Sequence, residues 1–215
     1  MSRSNLALQT ASPGRPPDPK KRSSILESAR KLFLRDGYDA SLEAIALMAG
    51  VSRQTIYNLF GSKDELFVAV LANRAEQLTE PLNSASDAVG PRAVLSELAR
   101  LFGGTILSAE SVQFQRAVIA CTQRFPKLAQ SFYEAGPAKA LGRLAAYLEA
   151  ETKRGRLAVS DPLLAAEQFI GMLKGNVHTR LIFCGEVKIS PEEFERRTAY
   201  CVDSFLKAHG VAASL

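Results

Sequence analysis

Apolar residues recur along this chain at the spacing of amphipathic helices, and hardly any stretch alternates as a β-strand would. The first helical face begins after residue 19 and consists of Ile25, Ala29, Leu32 and Phe33. Gly37 follows this face as a stop signal. Serines that can cap helix N-termini stand at three later positions, Ser41, Ser52 and Ser62. The pattern therefore predicts four helices within residues 20–80.

Proline, glycine and small polar residues then interrupt the helical period over residues 81–91. After an apolar stripe over 94–106, the spacing predicts helices over 111–124, 126–153, 161–184 and 191–208. Gly136 and Pro137 should bend or break the second of these helices. We therefore expect an all-α protein, with a small helical domain over 20–80 and a second helical domain over 81–215.

The first 19 residues differ in composition from the rest. Residues 1–19 contain four prolines and little apolar material, so we expect a flexible basic arm. The net charge of +5 is concentrated near this end, because residues 1–35 hold eight Lys or Arg against two acidic residues. A positive end suits binding to phosphate, but a solvated tail without function would give the same count. Charge alone favours neither reading.

Composition also bears on where the protein works. No run of about 18 apolar residues could cross a bilayer, and the beginning of the chain lacks an apolar stretch of signal-peptide length. We expect a cytoplasmic protein that does not associate with a membrane. The odd number of cysteines, without a C-x-x-C pair, argues against a disulfide framework or a thiolate metal site. We expect Cys121, Cys184 and Cys201 to be reduced core residues.

The most informative stretch is residues 42–60, which combines a small residue, a glycine and spaced apolar positions. Two helices that cross closely leave no room for a large side chain at Ala46. The short turn between them needs a residue that tolerates positive φ, here Gly50. Val51 and Ile56 would close the small core beneath the second helix. Together these positions predict a helix-turn-helix motif.

In such a motif the second helix projects its first residues into the major groove of DNA. Its exposed positions carry hydrogen-bonding side chains and no acidic group, namely Arg53, Gln54, Thr55, Tyr57 and Asn58. A merely solvated helix face usually contains Asp or Glu, so DNA contact is the favoured reading. Lys63 begins the next helix, whose N-terminus also attracts anions. Arg15 in the arm could enter the minor groove, or could equally be a disordered charge.

Residues 15–70 resemble the DNA-binding domain of the TetR family of transcriptional regulators. The resemblance rests on Phe33, Gly37-Tyr38, the step from Ala46 to Gly50, Ser52, Thr55-Ile56-Tyr57, Phe60 and the segment from Ser62 to Leu66. It implies DNA contacts for Ser41, Ser52, Thr55, Tyr57, Asn58 and Lys63. Gln54 departs from the family, in which many members carry Gly, so no operator sequence can be transferred. Residues 126–206 are similar to the C-terminal domain of the AefR-like branch.

The resemblance implies a homodimer that binds a palindromic double-stranded DNA operator, mostly as a repressor. It also implies release when an unidentified small apolar or amphipathic molecule binds the C-terminal domain. Periodicity supports a dimer independently, because 161–184 carries two offset apolar stripes and 191–208 adds another. These two helices could form a four-helix bundle with a second copy. Burial within one chain is the alternative explanation of the stripes.

A ligand cavity in the C-terminal domain would need apolar and aromatic walls with a few polar groups. The candidates are Phe102, Phe114, Val118, Cys121, Phe125, Phe132, Tyr147, Phe169, Met172 and Asn176. Aromatic residues at helical spacing normally just pack, so a core position is the alternative for each of them.

Enzymatic activity is the rival class of function, and the sequence does not favour it. The chain contains no G-x-S-x-G elbow, no phosphate-binding P-loop and no G-x-G-x-x-G after a strand. His178 and His209 have no cysteine or carboxylate at metal-ligand spacing. We expect no catalytic residue, metal or cofactor. The remaining alternative is a small-molecule carrier or sensor whose DNA-binding module is not used, and salt-dependent DNA affinity would distinguish it from a regulator.

Overall fold

The computed structural model describes residues 18–84, 89–123, 126–185 and 187–211, and these residues fold into ten α-helices. The helices are α1 (Pro19–Asp36), α2 (Leu42–Ala49), α3 (Arg53–Phe60), α4 (Lys63–Leu78), α5 (Pro91–Ile106), α6 (Ala109–Cys121), α7 (Pro126–Tyr133), α8 (Lys139–Lys153), α9 (Pro162–Cys184) and α10 (Pro191–His209). The all-α class and the four helices within residues 20–80 are confirmed. None of the helices in the described part of the chain combines the length and apolar character needed to span a membrane.

Local capping chemistry fixes where several helices begin. The side chains of Ser41, Ser52 and Ser62 each accept a hydrogen bond from the backbone N–H three residues further on. Ser190 does the same at the start of α10, where Pro191 occupies the first helical position. Each cap satisfies a backbone donor that the first turn of a helix leaves free. The serines therefore work as the sequence predicts.

The first four helices enclose a core in which aromatic rings meet edge to face. The Phe67 ring lies 5.1 Å from Phe33 and 5.5 Å from Tyr38, measured between centroids. A second pair of rings reaches this core from later in the chain, because Phe114 of α6 lies 5.7 Å from Phe67 and 5.7 Å from Phe132 of α7. Helices α6 and α7 are thus anchored on the helix-turn-helix region.

A larger core lies between the end of α4 and helices α5, α8, α9 and α10. At its centre, the rings of Phe169 and Phe205 meet at 5.2 Å. Cys201 is buried here, but Cys184 at the end of α9 is exposed, so the expected core position is wrong for Cys184. Cys184 is the last residue of α9, and the buried face of this part of the helix is formed by Val177 and Leu181, which cluster with Val112 of α6. Phe114 of α6 belongs to the core of the first four helices, and the end of α4 belongs to the larger core. The cores therefore do not separate at residues 80 and 81, and the domain division there stays a prediction.

Two helices of the C-terminal part are interrupted. The predicted helix over 126–153 is broken by a π-helical turn over Glu134–Ala138, which contains Gly136 and Pro137. Helix α9 departs from helical geometry at Gly175, whose φ of 49° lies in the region that glycine adopts at little cost. The proline break follows from the sequence, whereas the Gly175 kink was not anticipated. Both irregularities lie on helices that border the cavity described below.

Candidate nucleic-acid interface and ligand cavity

The turn between α2 and α3 has the geometry of a helix-turn-helix motif. Gly50 ends α2 in the left-handed region, with φ 67° and ψ 34°. The Val51 N–H donates to the Ala46 carbonyl at 3.0 Å, which closes the turn. The Ser24 hydroxyl of α1 donates to the Ala49 carbonyl at 3.1 Å and fixes the turn against the first helix. Local backbone bonds and one tertiary contact therefore set the direction of α3.

Ala46→Leu is expected to lower the free energy of unfolding by about 1 to 3 kcal/mol. Ala46 is only 5% exposed and belongs to the same buried cluster as Ile56, so three extra carbons would overpack the crossing of α2 and α3. Urea denaturation provides the measurement. Ala146→Leu, at an exposed position of α8, is the matched control and should change stability by less than about 0.5 kcal/mol. Equal stability of the two variants would show that the crossing has spare room.

Helix α3 presents one buried and one polar face. Ile56 and Phe60 are buried beneath the helix. We call the opposite side the reading surface: it consists of the exposed side chains of Ser52, Arg53, Gln54, Tyr57 and Asn58 and the half-buried Thr55. All six can donate or accept hydrogen bonds, as contact with base edges and phosphates requires. The structure thus brings together the residues that the sequence selected on this helix.

Side chains of the reading surface are held by one another. The Gln54 amide nitrogen donates to Asn58 Oδ1 at 2.9 Å. The Arg53 guanidinium donates to the Tyr57 hydroxyl at 3.4 Å and forms an ion pair with Glu43 of α2 at 2.5 Å. Glu43 was missed by sequence reasoning, because its nearness to Arg53 depends on how α2 and α3 cross. The exposed ion pair contributes little free energy in water, so it can break and leave Arg53 available to contact a phosphate or a base.

Lys63, at the N-terminus of α4, lies over the aromatic ring of Tyr38. Its ammonium group is 4.6 Å from the centroid of the Tyr38 ring. The Tyr38 hydroxyl donates to the Asp64 carboxylate, and burial together with this carboxylate raises the pKa of Tyr38 well above its ordinary value. Tyr38 therefore stays protonated near neutral pH and provides a fixed support for the lysine. A cation held at a helix N-terminus is suited to a DNA phosphate.

Two further residues complete the account of the predicted DNA contacts. Ser41 is exposed at the N-cap of α2, where its hydroxyl accepts from the Ala44 N–H at 3.1 Å and still has its own proton to donate. Arg15 lies outside the described residues. Its predicted role in the minor groove stays a prediction, as do the DNA contacts of the others.

A cavity of about 350 Å³ lies between α4, α5, α8, α9 and the turn after α7. Its walls are mostly apolar and include Leu71, Leu78, Phe102, Ile106, Leu141 and Ile170. Five polar side chains also border it, namely Arg74, Gln115, Tyr133, Glu167 and Lys174. An apolar space of this size with a few polar groups is typical of a site for a small organic molecule.

Of the residues predicted to line a ligand site, Phe102 borders this cavity. Phe114, Val118 and Phe132 instead pack against the core of the first four helices, and Tyr147 and Phe169 are buried in the larger core. Met172 and Asn176 are exposed on α9. Phe125 and the side chain of Cys121 lie outside the described residues. The aromatic rings sit in the cores because large apolar groups gain most from complete burial, and their ligand contacts stay predictions.

The polar wall of the cavity was largely missed by sequence reasoning. Arg74, Glu167 and Lys174 look in the sequence like the solvated face of a helix. Only the tertiary structure brings Arg74 of α4 and Glu167 and Lys174 of α9 to the same cavity. The available signal was Gly136-Pro137, which predicts a bend or break in the helix, and the structure places both residues at the cavity.

An apolar surface is exposed on the last two helices. Its members are Leu163, Leu164, Met172, Phe183 and Tyr200. Met172 and Tyr200 also border a groove of about 360 Å³ between α5, α9 and α10, whose floor includes Leu107 and Phe194. Single exposed apolar side chains are common on proteins, whereas several that together form a large patch often mark a contact with another molecule.

These features define a helix-turn-helix DNA-binding protein with a helical domain that contains a cavity. Residues 25–70 match the model of the family described as bacterial regulatory proteins, tetR family. Residues 93–211, more than half of the chain, match the C-terminal domain of AefR-like transcriptional repressors. The chain belongs to the TetR family and is a DNA-binding transcriptional regulator.

Solved structures agree with this assignment over nearly the whole chain. A TetR-family regulator from Mesorhizobium loti superposes with a TM-score of 0.72 and is 32% identical, covering 89% of this chain and 98% of that one. The flavonoid-responsive regulator FrrA has a TM-score of 0.66 and 33% identity, with coverage of 91% and 100%. The transcriptional regulator AlkX of Mycobacterium tuberculosis is 40% identical over 68 residues, which are 31% of this chain and 32% of AlkX. This last similarity thus spans about a third of the curated relative.

Proposed function

We propose that this protein is a repressor that leaves a palindromic operator when a small apolar or amphipathic molecule occupies the cavity. The observation that carries the proposal is the course of α4, which belongs to both sites. Its first residue, Lys63, comes three residues after Phe60, the last residue of α3, and its second half contributes Leu71, Arg74 and Leu78 to the cavity wall. A ligand that displaces α4 would therefore displace the reading surface as well.

The aromatic contacts of α6 and α7 support this coupling. Phe114 and Phe132 tie these helices to the core that carries α3, while the turn that follows α7 borders the cavity. To act as a switch, a ligand has to favour one arrangement over the other by about 1 to 3 kcal/mol. Repression as the direction of regulation is supported by the similarity of residues 93–211 to AefR-like repressors.

Homodimerisation through α9 and α10 is part of the proposal. The exposed apolar side chains on these helices lack a partner among the described residues of one chain, and an identical surface on a second copy would cover them. A two-fold dimer would present two copies of α3 about 34 to 36 Å apart, which is one turn of DNA. The expected operator is therefore an inverted repeat.

The relatives suggest which molecules to test first as the effector. FrrA, which is 33% identical to this chain, is named as flavonoid-responsive. A polyphenol of flavonoid size is compatible with a cavity of about 350 Å³ and its mostly apolar walls. Flavonoids are accordingly a sensible first set of candidate ligands.

Selection of bound fragments from a random DNA pool tests the proposed function most directly. We expect an inverted repeat whose half-sites are one helical turn apart, bound with an affinity that falls steeply as salt is added. A panel of amphipathic molecules then tests release from that operator. If the protein is a carrier with an unused DNA module, no sequence will be enriched and no salt-dependent affinity will be found.

Gln54→Ala is expected to cost about 1 to 3 kcal/mol of binding to the selected operator and to relax the preference at one base pair. The Gln54 amide is exposed on the reading surface and is free to exchange its bond with Asn58 for an adenine edge. Affinities for the operator and its single-base variants are the measurement. Lys63→Ala should instead weaken all duplexes alike, and Gln113→Ala on the exposed face of α6 should change nothing. An unchanged base preference in Gln54→Ala would exclude direct readout by this side chain.

A further inference from the structure

Lys174 of α9 occupies an unusual place for a lysine. Its side chain is only half-exposed and borders the cavity between Ile170 and the wall formed by α4. Among the described residues, no carboxylate lies within ion-pair distance of its ammonium group and no hydrogen-bond acceptor contacts it. Burial lowers the pKa of Lys174 below its ordinary value. The free protein therefore holds a cation at the cavity without a counter-ion.

The surroundings of Lys174 add no negative charge. His178, which follows the kink at Gly175 on α9, lies with Nε2 3.0 Å from Gln115 Oε1. Burial, together with the positive charge of Lys174, lowers the pKa of His178, so this ring is neutral near pH 7. Gln115, which also borders the cavity, is thereby held there as a neutral polar group.

A second cation faces the cavity from α4. The Arg74 guanidinium donates to the Thr105 hydroxyl at 3.0 Å and to Gln77 Oε1 at 3.3 Å, and both acceptors are neutral. Burial and the nearby Arg30 lower the pKa of Arg74, the carboxylates of Glu27 and Glu110 act in the opposite direction, and a guanidinium keeps its charge at any physiological pH. Arg74 and Lys174 thus make two walls of the cavity positive.

The one carboxylate among the described lining residues does not offset these charges. Glu167 is exposed and lies two turns before Lys174 on α9, about 10 Å along the helix axis. It is therefore hydrated, whereas the two cations are partly removed from water. Removing a charge from water costs free energy unless the charge is paired, and a hydrogen bond between a cation and an anion is stronger than one between neutral groups.

We infer that the cavity binds an amphipathic anion, with its acidic group at Lys174 and its apolar body against Phe102, Ile106 and Leu141. Gly171, next to Ile170 on α9, leaves room for that body, since a Cβ atom there would meet no other atom within 4 Å. This inference rests on the proposed function for its biological meaning and names the chemical class of the effector. The acidic group supplies the missing counter-ion, and the apolar walls supply most of the contact area.

Two fluorescent probes that differ by one charged group test the inference without DNA. 1-Anilinonaphthalene-8-sulfonate carries a sulfonate, and N-phenyl-1-naphthylamine has the same aromatic skeleton without it. We expect the sulfonate to bind the full-length protein at one site per chain and more tightly than the neutral probe. Lys174→Gln should weaken the sulfonate roughly 10-fold or more, as loss of a charged hydrogen bond implies, and leave the neutral probe unchanged.

Three further variants separate the charge of Lys174 from effects on folding. Lys174→Arg keeps the charge and should retain binding of the sulfonate. Gly171→Phe fills the cavity and should weaken both probes. Lys207→Gln removes an exposed charge from α10 and should affect neither probe.

Several outcomes would overturn the inference. Absence of sulfonate binding would do so, as would equal affinity for the two probes or an unchanged sulfonate affinity in Lys174→Gln. Failure of the proposed function has a different signature, namely no enriched operator in the DNA selection, or an operator that no amphipathic molecule releases. The anion site can therefore stand or fall independently of repression.

Discussion

Phe67→Ala is expected to lower the free energy of unfolding by about 3 to 5 kcal/mol, the largest effect of any single substitution considered for this chain. The Phe67 side chain is 1% exposed and contacts the rings of Phe33, Tyr38 and Phe114. Removal of the ring leaves a cavity. The three aromatic neighbours belong to different elements, so they cannot all move inward to fill it. The substitution therefore loses the free energy of burying the ring and also bears the cost of the cavity that is left behind.

Urea denaturation of the wild type and of Phe67→Ala measures this effect. Leu47→Ala is the control, because Leu47 is 85% exposed and loses little contact on truncation. Phe67→Leu should fall between the wild type and Phe67→Ala, since it keeps part of the volume. A loss of less than about 1 kcal/mol in Phe67→Ala would mean that α6 does not pack against the helix-turn-helix core.

The same substitution also bears on regulation. Phe114 of α6 meets Phe67, and Phe132 of α7 meets Phe114 in turn, so the two helices that lead towards the cavity turn are linked to Phe67 through one ring. The sequence offered two readings for Phe114 and Phe132, ligand contact or core, and the structure places their rings in this core. If the proposed coupling holds, weakening the contact should reduce the effect of a ligand on operator affinity as well as stability.

Features that depend on neighbours in sequence could be predicted well. A serine before a helix caps it through the N–H three residues on, whatever the tertiary structure does. Gly50 is required because the turn between α2 and α3 needs a positive φ, which costs other residues free energy. The capping serines, the turn and the proline break at Pro137 are all of this kind.

Features that depend on packing between distant helices could not be predicted. Glu43 approaches Arg53 only because α2 crosses α3 at a particular angle. Arg74 and Lys174 are 100 residues apart, and nothing in their local sequence distinguishes them from ordinary surface charges. Their common cavity is bordered by α4, α5, α8, α9 and the turn over Glu134–Ala138, so the chemistry of the site required the structure.

Glu151→Gln is expected to lower the free energy of unfolding by about 3 kcal/mol, because removing one partner of a buried ion pair leaves the other charge uncompensated. The Glu151 carboxylate at the end of α8 is fully buried. It forms ion pairs with Arg154 at 2.8 Å and with Arg156 at 2.6 Å. The expected cost lies at the lower end for buried pairs, because both arginines keep some contact with water.

Glu149→Gln on the same helix is the matched control. Glu149 pairs with Lys153 at 2.6 Å, but this carboxylate is 54% exposed, and such pairs contribute less than about 1 kcal/mol. Urea denaturation of both variants at neutral pH therefore compares the same Glu-to-Gln change at a buried and at an exposed position of α8. The buried pair holds the segment after α8, where Leu157 and Val159 join the larger core and the Ala158 N–H donates to the His209 carbonyl at 2.7 Å. Equal stability losses in the two variants would mean that apolar contacts and backbone hydrogen bonds hold this segment without a net contribution from the ion pair.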